Sequence, residues 1–416
     1  MRLLFTPTGV SRSHQRSVAY ETNPQFTGPT TTISLFKIKN RLGTQAGMEF
    51  NIPVQELSKA LQRVQGIIEK KTTMPILANV LLTASEDGHL TVAATNLELG
   101  LTGKYPCEVI TPGAITLSGK SLFDIVRALP KKSANLKTAN NDWVEITCGK
   151  VNYRVVGMAA DGYPTLPSFS DVEYFKLSGE AFKAMIDKTL YSVCTDETRY
   201  NLTGIFCEAL AEGNGIRMVS TDGHRLSIIE QATDDQPLIK KGIIIPRKGM
   251  IEIRRLLDDG NSSGQLGFKE NSAIFEKDGL TLTMQLIEGE FPDYKQVIPS
   301  SSTKKVVIDR DVLQAALKRT SLLSPDKAQG VRLDLSNGSL SLSAHNPDIG
   351  EAKEEIEVNY DGEELKIGFN YRYISDVLHA LTDAQVELQL SDSLSPGVIV
   401  GAGSENYRAI IMPMRL

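Results

Sequence analysis

Apolar and polar positions alternate singly in short runs along most of this chain, the period of a strand with one covered face. At six places the period lengthens to that of an amphipathic helix. Three segments share one form, a short alternating strand running straight into a helix: Phe50 to Lys70 (FNIPVQELSKALQRVQGIIEK), Phe175 to Val193 (FKLSGEAFKAMIDKTLYSV) and Val306 to Leu323 (VVIDRDVLQAALKRTSLL), with starts 125 and 131 residues apart. A second form recurs midway through each interval: Ile115 to Leu129 (ITLSGKSLFDIVRAL), Ile243 to Leu257 (IIIPRKGMIEIRRLL) and Ile367 to Leu381 (IGFNYRYISDVLHAL), 128 and 124 apart. Two interleaved repeats of one period predict three equivalent modules.

Between the helices lie alternating runs broken by turn signals, among them Asp87-Gly88, Gly213-Asn214-Gly215 and Asn337-Gly338. Each module therefore reads as two helices packed on antiparallel sheets of about eight short strands, and the class is α+β. Ser- and Pro-rich stretches near Pro167 to Val172 and Pro299 to Thr303 place the boundaries, giving modules at 48–170, 171–301 and 302–416. The 369 residues from Met48 onward divide into thirds of 123, matching the repeat spacing.

Residues 1–47 differ in composition. Arg2, Arg12, Arg16, Lys37, Lys39 and Arg41 face the single acid Glu21 among many Ser and Thr. Two readings stand: an organelle transit segment, which is acid-poor and rich in Arg and Ser, or an N-terminal extension, disordered or a mis-called start, with Met48 opening the folded protein.

On a helical wheel of the first helix, Val54, Leu57, Leu61, Val64 and Ile68 form one stripe, the core face, while Lys59, Arg63 and Lys70 gather near the opposite pole. The fourth helix repeats the bias with Arg247, Lys248, Arg254 and Arg255 against Glu252. The pairs Lys120 and Arg127, Lys183 and Lys188, and Lys318 and Arg319 do so more weakly, and the sixth helix offers only Arg372. The whole chain carries a formal charge of −5, and residues 48–416 carry −10. Basic groups gathered on repeated helices of an acidic protein read either as solvated faces or as a local surface for a polyanion. Aromatic residues at 6% and the single Trp143 speak against a stacking platform for single strands, and basic groups spread over several helices suit contact to the backbone, independent of base sequence.

Cys107, Cys148, Cys194 and Cys207 form no CxxC pair, and the five histidines lack metal-ligand spacing. No metal or cofactor is expected, and a reducing cytoplasm fits. No apolar run approaches the roughly 18 residues of a membrane span.

Thr221-Asp222-Gly223-His224-Arg225-Leu226 invites a hydrolase reading on Thr221, Asp222 and His224, because His beside Asp can serve as a general base. No Ser or Cys nucleophile elbow accompanies it, and Asp-Gly is equally a turn signal.

The run TDGHRL at 221–226, PRKG at 246–249, EGEFPDY at 288–294 and MPMRL at 412–416 resemble the bacterial sliding clamps, the beta subunits of DNA polymerase III. The resemblance spans 48–416 in order. It implies a non-enzymatic processivity factor: a ring-shaped homodimer of six modules, each chain forming half, that encircles double-stranded DNA and tethers the replicative polymerase and other DNA-processing proteins. Polymerase and clamp-loader subunits would bind through short apolar peptide motifs. The resemblance carries DNA contact to Lys71, Lys120, Arg127, Arg199, Tyr200, Arg247, Lys248 and Arg255. It carries a partner-peptide cleft to Leu202, Thr221, Gly223, His224, Arg225, Leu226, Pro292, Val297, Met412, Pro413, Met414, Arg415 and Leu416, with no catalytic residue. Methionines suit a cleft that admits several peptides, because thioethers repack easily. Asn201 stands where some clamps carry a second aromatic, Gln296 where some are basic, and the leader has no counterpart. A monomeric peptide-binding scaffold without DNA is the alternative.

Overall fold

All six expected strand-to-helix junctions form where the hydrophobic period changes. The computed structural model describes residues 47–416 apart from 70–72, 131, 235, 238, 240, 259–262, 326–328 and 416. The leader up to residue 46, with Lys70, Lys71 and Leu416, lies outside the described residues.

The helices are α1 (Val54–Val64), α2 (Gly119–Ala128), α3 (Gly179–Leu190), α4 (Arg247–Asp258), α5 (Arg310–Thr320) and α6 (Tyr371–Ala380), each entered directly from a strand or one residue after it. Polar side chains stop the strand and start the helix at several of these points. Asp309 accepts from the backbone N–H groups of Asp311 and Val312, both at 3.0 Å, and Asn370 accepts from that of Arg372 at 2.9 Å, satisfying donors that the first helical turn leaves unpaired. Helix α1 buries Val54, Leu57, Ala60, Leu61 and Val64. It ends six residues before Lys70, where Gly66 lies so close to Glu252 and Arg255 of α4 that any Cβ would collide with them. Beyond that end Ile67 is fully buried, and Ile68 of the predicted stripe only half so.

Twenty-five antiparallel strands accompany the helices among the described residues. The same order of elements runs three times, with one additional strand, Glu108–Thr111, in the first repeat, and the helices pair as α1 with α2, α3 with α4 and α5 with α6. Two eight-stranded sheets cross from one repeat to the next. One is joined where Leu280–Gln285 pairs with Leu99–Pro106, the other where Tyr407–Ile411 pairs with Arg225–Ala232. A five-stranded sheet belongs to the first repeat and ends at the edge strand Val151–Val156. A four-stranded sheet belongs to the third and ends at Gly350–Glu357.

One continuous apolar core runs through all three repeats, with Phe50, Leu57, Phe175, Phe182, Phe275, Phe369 and Tyr407 among its most buried members. Burying a side chain such as Leu57 or Phe182 contributes roughly 1.5–3 kcal/mol. A smaller cluster, Val219, Leu226, Ile228, Tyr294, Val398, Val400 and Ile410, lies at the junction of the second and third repeats. That satellite core is the floor of the candidate site.

Candidate functional site

The ladder joining the second and third repeats sets Leu226 opposite Ile410 and Arg225 opposite Ile411. It continues as the Met412 N–H donates to the His224 carbonyl at 2.9 Å, after which Met414 donates to the Gly368 carbonyl at 2.8 Å. An open groove follows, lined by Leu202, Thr221, Gly223, Arg225, Leu226, Pro292, Asp293, Tyr294, Val297, Ile410 and Met412. Met412 and Val297 are 39% and 36% exposed, an uncovered apolar rim over a buried floor.

Eight expected cleft residues thus meet in one place: Leu202, Thr221, Gly223, Arg225, Leu226, Pro292, Val297 and Met412. His224 contributes its backbone carbonyl while its side chain is exposed. Pro413, Met414 and Arg415 do not line the groove. Sequence reasoning missed Asp293, Tyr294 and Ile410. Ile410 could have been found from strand period, two residues before Met412 on the same face, and Tyr294 from its place in EGEFPDY. Tyr294 is buried and donates to Glu208 at 2.6 Å, while Arg217 donates to its hydroxyl at 3.1 Å. Burial, with the adjoining Glu208 carboxylate, pushes its pKa up to about 12.

The wall beside the groove is a tight turn. Thr221 donates its hydroxyl to the Arg225 carbonyl at 2.6 Å and accepts from the Gly223 N–H at 3.0 Å. The Asp222 carboxylate accepts from the N–H groups of His224 and Arg225 at 2.9 and 3.1 Å. Gly223 has φ of 88°, in the left-handed region, and a Cβ there would meet the Arg199 guanidinium at 3.0 Å. These bonds commit Thr221 and Asp222 to the turn: the Thr221 proton points at a carbonyl, and Asp222 orients backbone and Arg225 rather than the His224 ring. The geometry gives the hydrolase reading no constellation to work with.

Arg225 is mostly buried and fully engaged, with Asp222 at 3.0 Å, Asp376 of α6 at 2.5 Å and the Tyr191 carbonyl at 2.7 Å. Its guanidinium lies over the rings of Tyr373 and Tyr191, at 4.5 and 5.2 Å from the centroids. Burial opposes the charge, and the Asp376 and Asp222 carboxylates more than offset it, so its pKa stays above the ordinary arginine value.

The candidate DNA contacts divide into two sets. Lys120, Arg127 and Arg247 are exposed and have no carboxylate partner among the described residues. Lys248 instead faces Glu98 at 3.2 Å and Glu69 at 4.0 Å. Arg255 pairs with the buried Glu252 at 2.6 Å and donates to the Arg63 carbonyl at the end of α1. Arg199 faces Asp196 at 3.6 Å and donates to the Asp222 carbonyl at 2.7 Å. Tyr200 is 58% exposed beside Gly289. Among the described residues no group of His, Cys, Asp and Glu could hold a metal ion, and no helix is long and apolar enough to cross a membrane.

Three family profiles match in order: the N-terminal domain of the DNA polymerase III beta subunit over residues 48–167, its central domain over 176–293 and its C-terminal domain over 295–415. The beta sliding clamp of Pseudomonas putida is 35% identical over 370 residues, covering 89% of this chain and 100% of the relative. That of Escherichia coli is 34% identical over 370 residues with the same coverage. Among solved structures, the Caulobacter crescentus beta sliding clamp superposes with a TM-score of 0.85 at 33% identity, covering 90% of this chain and 100% of that one. The Pseudomonas aeruginosa clamp, solved bound to griselimycin, superposes with a TM-score of 0.84 at 34% identity, covering 89% and 100%.

Proposed function

The chain belongs to the DNA polymerase III beta-subunit family, the bacterial sliding clamps, and on that premise we propose that two copies join head to tail in a ring that encircles duplex DNA and tethers a polymerase to it.

The observation that carries the ring is the pattern of strand edges. Both junctions within the chain join the last strand of one repeat's first sheet to the last strand of the next repeat's second sheet: Leu99–Pro106 to Leu280–Gln285, and Arg225–Ala232 to Tyr407–Ile411. The same bookkeeping leaves two such strands at sheet edges, Gly350–Glu357 in the third repeat and Val151–Val156 in the first. A second copy supplies each with its counterpart, a heterologous contact that closes when the rotation permits. The edges are complementary. Glu351, Glu355 and Glu357, with Glu354 already paired to Arg319, outnumber Lys353 on the first, and Lys150 and Arg154 mark the second. Exposed apolar side chains flank both, Ile349 and Leu322 at 68% and 76%, Tyr153 and Val156 at 37% and 64%.

In this reading the ring holds DNA by topology. Lys120, Arg127 and Arg247 meet phosphates without reading sequence. The groove receives a short segment of a polymerase or clamp-loader subunit carrying large apolar side chains, and the protein itself makes and breaks no bonds.

Native mass spectrometry of the full chain tests the assembly. A dimer is expected, with monomers from a variant combining Leu322→Lys and Val156→Lys. A monomeric wild type would overturn the ring and favour the peptide-binding scaffold. A dimer indifferent to both substitutions would place its interface elsewhere.

A further inference from the structure

The turn Thr95-Asn96-Leu97-Glu98-Leu99 repeats, bond for bond, the turn that walls the groove. Thr95 donates to the Leu99 carbonyl at 2.8 Å and accepts from the Leu97 N–H at 3.0 Å. Asn96 accepts from the N–H groups of Glu98 and Leu99 at 3.2 and 2.8 Å. Leu97 occupies the place of Gly223 and takes φ of 77°, a conformation a bulky residue rarely adopts. Strain of this kind persists where surrounding bonds over-determine it. The turn therefore fixes the position of Glu98, which stands where the groove turn has His224.

Glu98 is placed against a cation of the next repeat. Lys248 sits in the first turn of α4, which contains no acidic residue, so its charge faces the positive end of the helix dipole without local compensation. The compensation comes from the first repeat: Glu98 at 3.2 Å, and Glu69 at 4.0 Å, itself held by the Asn96 amide at 3.5 Å. Lys248 and Glu98 are each 61% exposed, so phosphate can reach the pair. Lys120, at the equivalent position in α2, has no such partner among the described residues.

We propose that Glu98, assisted by Glu69, is a built-in competitor for DNA phosphate at Lys248, weakening one contact per chain so that the protein slides along duplex DNA instead of gripping it. The proposal rests on the DNA-encircling reading above. An exposed ion pair is weak and screened by salt, so it yields to a passing phosphate and re-forms behind it. Glu98 and Glu69 are positioning residues acting through Lys248.

The test compares the wild-type full chain with Glu98→Gln, Glu69→Gln and their combination on duplex DNA, by anisotropy across a salt series. Side-chain amides leave the turn intact, because Glu98 contributes only its N–H to it. Each added phosphate contact steepens the log–log salt dependence by about 0.9, which is about threefold in affinity across a fourfold change in salt. The combined variant should steepen the slope by that amount per chain and slow one-dimensional diffusion of loaded protein. Lys248→Ala should abolish the difference, and Glu212→Gln, which removes a charge from an exposed turn elsewhere, should not reproduce it. A wild-type slope in the combined variant, or a steeper slope that survives Lys248→Ala, would overturn the proposal. Wild-type protein that, once loaded, leaves an intact nicked circle as fast as it leaves linear DNA would overturn the encircling reading beneath it.

Discussion

Arg225 and Asp376 are paired at 2.5 Å across the junction of the second and third repeats, guanidinium of a groove strand to carboxylate of α6. The pair ties the groove wall to a helix of the next repeat. Arg225→Met keeps the stem and removes the charge, leaving the Tyr191 carbonyl without its side-chain donor and Asp222 with only its backbone donors. Breaking such a buried pair from one side costs about 3–5 kcal/mol. Asp376 is 43% exposed, which screens its share and brings the expectation to about 2 kcal/mol. Chemical denaturation checks this, and peptide affinity should fall with it.

Two arginines of α4 should behave differently although both stand among the expected DNA contacts. Arg247→Ala removes an exposed cation, so the salt slope of DNA binding should fall by about one unit with no change in melting temperature or sequence preference. Arg255→Ala removes the donor to the Arg63 carbonyl and the partner of buried Glu252, so it should lower the melting temperature. Equal behaviour of the two variants would contradict the division drawn here.

Glu252 supplies a pH signature. Burial raises its pKa, and Arg255 opposes the shift only in part. A carboxyl with a raised folded-state pKa stabilises the protein below its unfolded pKa, and that contribution is lost as pH rises through the folded value. Glu252→Gln should therefore gain stability relative to wild type at neutral pH, with the gain shrinking as pH falls through the carboxylate range. Thermal melts at several pH values measure it.

The groove prediction concerns Met412. Removing residues 412–416 deletes the Met412 and Met414 backbone bonds and the exposed half of the groove rim. Burying one Leu or Phe of a bound peptide contributes roughly 1.5–3 kcal/mol, so a short peptide carrying Leu and Phe side chains should bind at least tenfold more weakly by fluorescence anisotropy, while native mass still reports a dimer. Unchanged affinity would remove the groove assignment.

The sequence made the helices legible because each begins where period two becomes period 3.6, and polar residues such as Asp309 and Asn370 mark the change. The end of α1 was not legible, since it is set by the approach of Glu252 and Arg255 to Gly66 from nearly two hundred residues away. The composite sheets were hidden for the same reason: nothing local in Leu99–Pro106 names Leu280–Gln285 as its neighbour. In the groove, Met412 and Pro292 were carried over by the family resemblance and do line it, whereas Ile410, outside the resembling motifs, reads as ordinary core. Charge counting found the basic helices. It could not see that Glu98, Glu252 and Asp196 already face three of their candidate contacts.

If two copies close into a ring, the protein holds DNA by enclosing it. Retention of labelled protein on a nicked circular duplex, before and after the circle is cut, tests this most directly. Loaded protein is expected to stay on the intact circle at salt that dissolves ordinary phosphate contacts, and to leave within the sliding time once an end exists. Equal loss from circular and linear DNA at every salt concentration would contradict it.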